Sequence, residues 1–260
     1  MIRDGKIGQG VDITKAIISP PFGNYIHFQG ATNVYGSYTL HRRIGAFYKF
    51  IKTFRVYRDD KGNKIGYVNS IGLKNKGIKN LSLNNRTQNG IISLAVLEQN
   101  QWRDLADVML FYLNEYDFMP RAIEINLSCP NVKLLDMDES ILRLFDKFNI
   151  IVKLPPNDKA ISYIAKALDY NVKYFHLCNT LPSKKGGISG EPLKKQSLAY
   201  IAEANNKWGD KINIIGGGGI YNKCDVDLYQ KAGAKYYSLS TIIWKSPFEV
   251  QKLIDYINTK

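Results

Sequence analysis

A chain of 260 residues, 45% of them hydrophobic, is long enough to bury a sizeable core. Its formal charge of +13 would suit nucleic acid, a membrane surface or anionic small molecules, but the lysines are scattered rather than blocked, so a solvated basic surface is the plainer reading. Three cysteines, Cys129, Cys178 and Cys224, contain no CxxC pair; they exclude a disulfide framework and leave no metal expected.

In chain order, the opening MIRDGKIGQGVDITK lacks the apolar stretch of a signal peptide, and no run of about eighteen apolar residues follows anywhere. The expectation is a cytoplasmic protein with no membrane partner. KAIIS (15–19) reads as a first strand and TNVYGS (32–37) as a second, and the short gap between them predicts a stunted first strand–helix unit. RDDKGNKIGY, with Gly62 and Gly66, marks a hairpin-like excursion. Strands follow at IISLAV (91–96), AIEIN (122–126), IIVKL (150–154), KYFHLC (173–178), INIIG (212–216) and KYYSLS (235–240). Helical patterns occupy 102–116, 160–169, 193–208 and 225–232, and a last amphipathic piece starts at Pro247.

Eight strands alternating with helices predict an α/β chain, a (β/α)₈ TIM barrel forming a single domain over residues 1–260. A doubly wound open sheet is the competitor. It is disfavoured because no GxGxxG follows the first strand and polar or glycine-rich sequence follows nearly every strand.

In a barrel the strand ends share one face, where barrel enzymes place their sites. Those ends carry Ser37, the stretch NLSCPN (126–131), Lys153, Cys178 to Thr180, the glycines 216–219, and Ser240 with Thr241. Successive glycines before a helix aim backbone N–H groups into a phosphate-sized concavity, and loops after strands seven and eight are where barrels hold phosphate. A lysine between apolar residues, as in IVKLPP, needs a partner for its ammonium; it reads either as a snorkelling side chain or as a fixed charge beside a reacting group. Asn69, Asn126, Asn131 and Asn179 each offer a donor and an acceptor, which together suit a planar ligand with alternating N–H and C=O edges, although singly each is an ordinary turn residue. Cys129 is either an inert thiol or, at a strand end, an acid or base. His27, His41 and His176 read as structural or exposed.

INLSCPN, IVKLPP, CNT, GGISGEPL, IIGGGGI and the earlier NSIGLKN together, and in the family's order along the chain, resemble the dihydroorotate dehydrogenase family of FMN-containing barrels. The thiol at Cys129 is similar to the soluble class 1 enzymes; GGISGEPL is closer to class 2, whose membrane-binding extension is not expected here. The resemblance implies that Cys129 is the base taking the C5 proton of dihydroorotate while hydride leaves C6 for the flavin. It implies that Asn69, Ser70, Ile71, Gly72, Leu73, Asn126, Asn131, Asn179 and Thr180 hold the pyrimidine. It further implies that FMN is lined by Ser19, Ser37, Asn126, Lys153, Cys178, Gly190, Gly218, Gly219, Ser240 and Thr241, with Lys153 at the flavin's pyrimidine edge.

There are departures from the family pattern. YGSYTL places Gly36 where class 1 carries a lysine, and SPPFG replaces a small-residue turn. A weak response to dihydroorotate, or preference for a related pyrimidine, is therefore expected. Arg42 or Arg43 is the candidate replacement cation, and a lysine restored at 36 would help only if that glycine does not sit at positive φ. Two rivals remain open: a tRNA dihydrouridine synthase-like flavin reductase, and a flavin-binding protein with altered substrate or lost turnover. Nucleic acid is not the expected partner, since IVKLPP lacks the arginine of those RNA enzymes; a small pyrimidine and a homodimer are.

Overall fold

A computed structural model describes residues 10–127 and 140–260. In chain order the strands are β1 (Ala16–Ile18), β2 (Ala31–Tyr38), β3 (Arg55–Arg58), β4 (Lys64–Asn69), β5 (Ile91–Leu94) and β6 (Ala122–Asn126). Then come β7 (Ile150–Leu154), β8 (Tyr174–Leu177), β9 (Leu181–Ser183), β10 (Gly186–Gly190), β11 (Asn213–Gly217) and β12 (Tyr236–Leu239). The eight strands expected from sequence, β1, β2, β5, β6, β7, β8, β11 and β12, pair in that order and close into a barrel. Every barrel pairing is parallel. Closure excludes the open doubly wound sheet, and a TIM barrel is what the chain forms.

The helices are α1 (Ala46–Thr53), α2 (Asn85–Gln88), α3 (Gln101–Tyr116), α4 (Ser140–Leu144), α5 (Asp158–Leu168), α6 (Lys194–Trp208), α7 (Lys223–Ala232), α8 (Thr241–Lys245) and α9 (Val250–Asn258). Between β1 and β2 there is only a single turn of 3₁₀ helix, Phe22–Asn24, so the first unit is short as expected. Asn222 caps α7 by accepting from the Asp225 N–H at 3.0 Å, while the Asp225 carboxylate accepts from the Asn222 N–H, which starts that helix two residues earlier than the apolar pattern predicts.

Two clusters form the core. Outside the barrel wall, helix side chains such as Trp102, Leu142, Tyr229 and Ile254 pack on outward strand residues. Inside its lower half, Ile17, Val34, Ile91, Ala122, Ile151, Tyr174 and Ile215 fill the bore, and Val11 closes it from below by donating its N–H to the Tyr174 hydroxyl at 3.1 Å.

A second, antiparallel sheet has the order β3–β4–β10–β9. Its hairpin turns at Asp59–Gly62, where the Asp59 carboxylate accepts from the N–H groups of Lys61 and Asn63. Gly66 belongs to β4 rather than to the turn. Among the described residues no helix is long and apolar enough to cross a membrane.

Candidate active site

Side chains alternate along a strand, so residues two apart share a face. Two residues beyond the apolar filling of the bore stand Ser19, Gly36, Ser93, Glu124, Lys153, His176 and Gly217. The bore is thus apolar below and polar above. The polar layer is bonded together: Ser93 Oγ donates to Glu124 Oε1 at 2.7 Å, and His176 Nδ1 lies 2.7 Å from Glu124 Oε2. Lys153 Nζ is 3.8 Å from Glu124 Oε1. A register shift between Tyr35 and Tyr38 turns Ser37 inward, where its hydroxyl meets Ser93 Oγ at 2.8 Å and accepts from Asn126 Nδ2 at 2.9 Å.

Electrostatics follow from this packing. Burial alone would raise the Glu124 pKa, but the Lys153 ammonium, His176 and two hydrogen bonds outweigh it and hold the carboxyl down at about 2. His176 is pushed below its usual value by burial and by Lys153, so it is neutral and donates through Nδ1. The lysine's required partner is therefore Glu124. Burial pushes the Cys178 thiol up to about 11, and it stays protonated.

Above this layer opens a cavity of about 1100 Å³. Its wall includes Asn69, Ile71, Gly72, Leu73, Asn126, Asn179 and Thr180 from the expected pyrimidine set, and Ser37, Lys153, Ser240 and Thr241 from the expected cofactor set. Arg42, Arg43, Lys74 and Lys76 add positive charge at the wall. Asn69 reaches it because β4 pairs with β10, with Asn69 opposite Gly187. Asn179 Oδ1 accepts from the Thr180 N–H at 2.6 Å. The loop 70–75 is held by Asn75, which accepts from the Gly77 N–H at 2.8 Å and donates to the Leu73 carbonyl at 2.9 Å.

Other expected residues lie around the wall without lining it. Ser19 is buried, with its Oγ 2.7 Å from Ser238 Oγ. The Ser70 N–H donates to Thr53 Oγ1 at 3.1 Å, and Cys178 sits beneath Gly217. Gly190 ends β10, while Gly218 and Gly219 form the loop after β11, beside β12 and its Ser240–Thr241 end. The Tyr229 hydroxyl lies 2.8 and 2.7 Å from the carbonyl oxygens of Gly217 and Gly218 and shares its one proton between them, which fixes that loop. Lys245 Nζ stands 4.0 Å over the Tyr221 ring nearby. Cys129 and Asn131 lie outside the described residues.

Sequence reasoning missed Glu124, Ser93 and His176 as one unit. The signal was there in AIEIN, where Ala122, Glu124 and Asn126 share a face between two isoleucines. What it could not reveal is that His176, 52 residues on, would meet that carboxylate.

A family model described as dihydroorotate dehydrogenase matches residues 25–260. The catalytic subunit of dihydroorotate dehydrogenase B (NAD(+)) from Saccharolobus solfataricus is 29% identical over 207 residues, covering 71% of this chain and 68% of that protein. A dihydroorotate dehydrogenase (quinone) from Wigglesworthia glossinidia brevipalpis is 28% identical over 230 residues, covering 74% and 68%. The crystal structure of a ligand-free type DHODH from Eimeria tenella superposes with a TM-score of 0.65 at 18% identity, over 94% of this chain and 83% of that one, a likeness of fold.

Proposed function

Because this chain belongs to the dihydroorotate dehydrogenase family, we propose that it is a single-domain, FMN-dependent oxidoreductase acting on dihydroorotate or a closely related dihydropyrimidine. The observation that carries the reading is Lys153: its ammonium lies in the wall of the barrel-mouth cavity, backed by a buried carboxylate and flanked by Asn126 and Asn179. The donor set at the wall suits a flavin mononucleotide, with a cation for the ring edge and hydroxyls at Ser37, Ser240 and Thr241. The glycine loop after β11, next to the Ser240–Thr241 end of β12, is the candidate for the phosphate. FMN, when bound, supplies a hydride acceptor.

The chain's own residues do the rest. Glu124 holds Lys153 in place and balances its charge, so the ammonium stays where negative charge develops. Asn69, Asn126, Asn131, Asn179 and Thr180 orient the pyrimidine, with the 70–73 loop alongside. Cys129 Sγ takes the C5 proton. Arg42 and Arg43 at the cavity wall supply the cation that Gly36 cannot, facing the substrate carboxylate.

The test is anaerobic bleaching of the reconstituted flavin by dihydroorotate and by other dihydropyrimidines. Bleaching by at least one is expected, and none by any would sink the reading. Cys129→Ala should keep FMN yet slow bleaching by roughly a hundredfold, the usual worth of a positioned base. A parental rate in that variant would make Cys129 structural. Reoxidation by NAD(+) and by a quinone, measured separately, assigns the acceptor.

A further inference from the structure

We propose that α1 with its flanks is a docking element that seats this chain on an anionic lipid surface. Phe47, Tyr48 and Ile51 share one face of α1, and Ile44 precedes the helix across the left-handed Gly45; the four are between 61% and 77% exposed. The helix is not waiting to turn that face inward, because its other face is already mounted. Phe50 and Phe54 pack on Trp244 with ring centroids 5.9 and 5.5 Å apart, and Phe54 stacks on Tyr67 at 5.1 Å. The Arg55 guanidinium donates to the carbonyls of Lys52 and Phe54 at 3.0 and 2.7 Å and fixes the helix end.

Charge selects the occupant. Apart from Arg42 and Arg43 at the cavity wall, the chain from His41 to Arg58 carries Lys49, Lys52, Arg55 and Arg58, and it has no acidic residue there. A projecting apolar ridge rimmed by cations matches the interface of an anionic bilayer, where rings and aliphatic groups enter the acyl boundary and cations meet headgroups. A second copy of the chain is disfavoured, since a two-fold contact would set these cations against their own copies. The sequence expectation of no membrane partner addressed spans and leaders, and α1 is neither. Ile44 and Phe47 also border the cavity mouth, so docking turns that mouth toward the bilayer. The inference is independent of the proposed reaction.

The test is flotation of the full chain with vesicles of phosphatidylcholine alone and of phosphatidylcholine with phosphatidylglycerol. Binding to the anionic vesicles, weakened by salt, is expected. Tyr48→Ser/Ile51→Ser, which leaves the cavity wall untouched, should reduce that binding about tenfold or more at an unchanged melting temperature. Lys49→Gln/Lys52→Gln should also weaken it, while Leu228→Ser, an exposed apolar residue on α7, should bind like the parent. No binding to anionic vesicles, equal binding to neutral ones, or parental binding by Tyr48→Ser/Ile51→Ser overturns the proposal. A dimer that Tyr48→Ser/Ile51→Ser dissociates, seen by light scattering, would assign the face to a second copy and overturn it equally.

Discussion

Inside the barrel Glu124 accepts from Ser93 and His176 and faces the Lys153 ammonium, with no water-exposed side of its own. Its pKa is about 2 in the fold against an ordinary 4.5, so its contribution is fully present above about 4.5 and is lost as pH falls toward 2, on the order of 3 kcal/mol in all. His176 is also depressed from 6.5, so the unfolded chain takes up its proton first and stability begins to fall below about 6.5. Thermal melts should therefore be level from about pH 8 to 7, decline below about 6.5, and decline faster below about 4.5. A melting temperature unchanged between neutral pH and about 5 would contradict a buried neutral His176. Gly36 sets a second expectation. Its φ is +123°, and a Cβ there would lie 2.5 Å from the Ser93 carbonyl oxygen and 2.8 Å from the Tyr38 amide nitrogen. The condition for restoring a lysine at 36 is thus not met. Gly36→Lys should destabilise by about 1–3 kcal/mol and not improve turnover, read by melting and by flavin bleaching. Stability equal to the parent would show that the strand can shift.

Among the elements, the small sheet was the least legible in sequence. GGISGEPL drew attention as a motif, yet nothing local announced that β10 would pair with β4 across more than a hundred residues and so bring Asn69 to the cavity. That pairing needs a bare backbone: a Cβ at Gly66 would meet the Ser189 carbonyl oxygen at 2.1 Å. Gly66→Ala should wedge β4 from β10, move Asn69 and Thr180, and raise the substrate KM by about tenfold while kcat changes little. An unchanged KM would remove the small sheet from the binding site. The helix α1 was missed for a different reason. Its aromatic, basic sequence has a helical stripe, but that stripe faces outward, and an exposed apolar face carries no signal of what it packs against.

For the whole molecule, the barrel brings residues from eight strands to one mouth, so a ligand filling it should bind the fold and not the unfolded chain. FMN at about a hundred times its Kd should add about 2.7 kcal/mol and raise the melting temperature by roughly 5–10 °C, with FAD giving less because the described residues form no adenine-binding unit beside the barrel. No shift with FMN would overturn the cofactor assignment. The eight barrel strands, the outer helices α3, α5, α6, α7 and α9 and the short first unit were readable in the chain, because β-branched runs, 3.6-residue periodicity and caps are local properties, whereas the five-residue helices α4 and α8 are too short to show a period. So was the place of Lys153, Asn126 and Asn179 at the cavity wall, since strand ends of a barrel converge whatever their order in sequence. What only the tertiary structure decided is who meets whom inside that mouth. Lys153 finds Glu124, Glu124 finds His176, and Gly36 is pressed against Ser93, because these contacts depend on barrel closure and strand register, which no stretch of neighbouring residues encodes by itself.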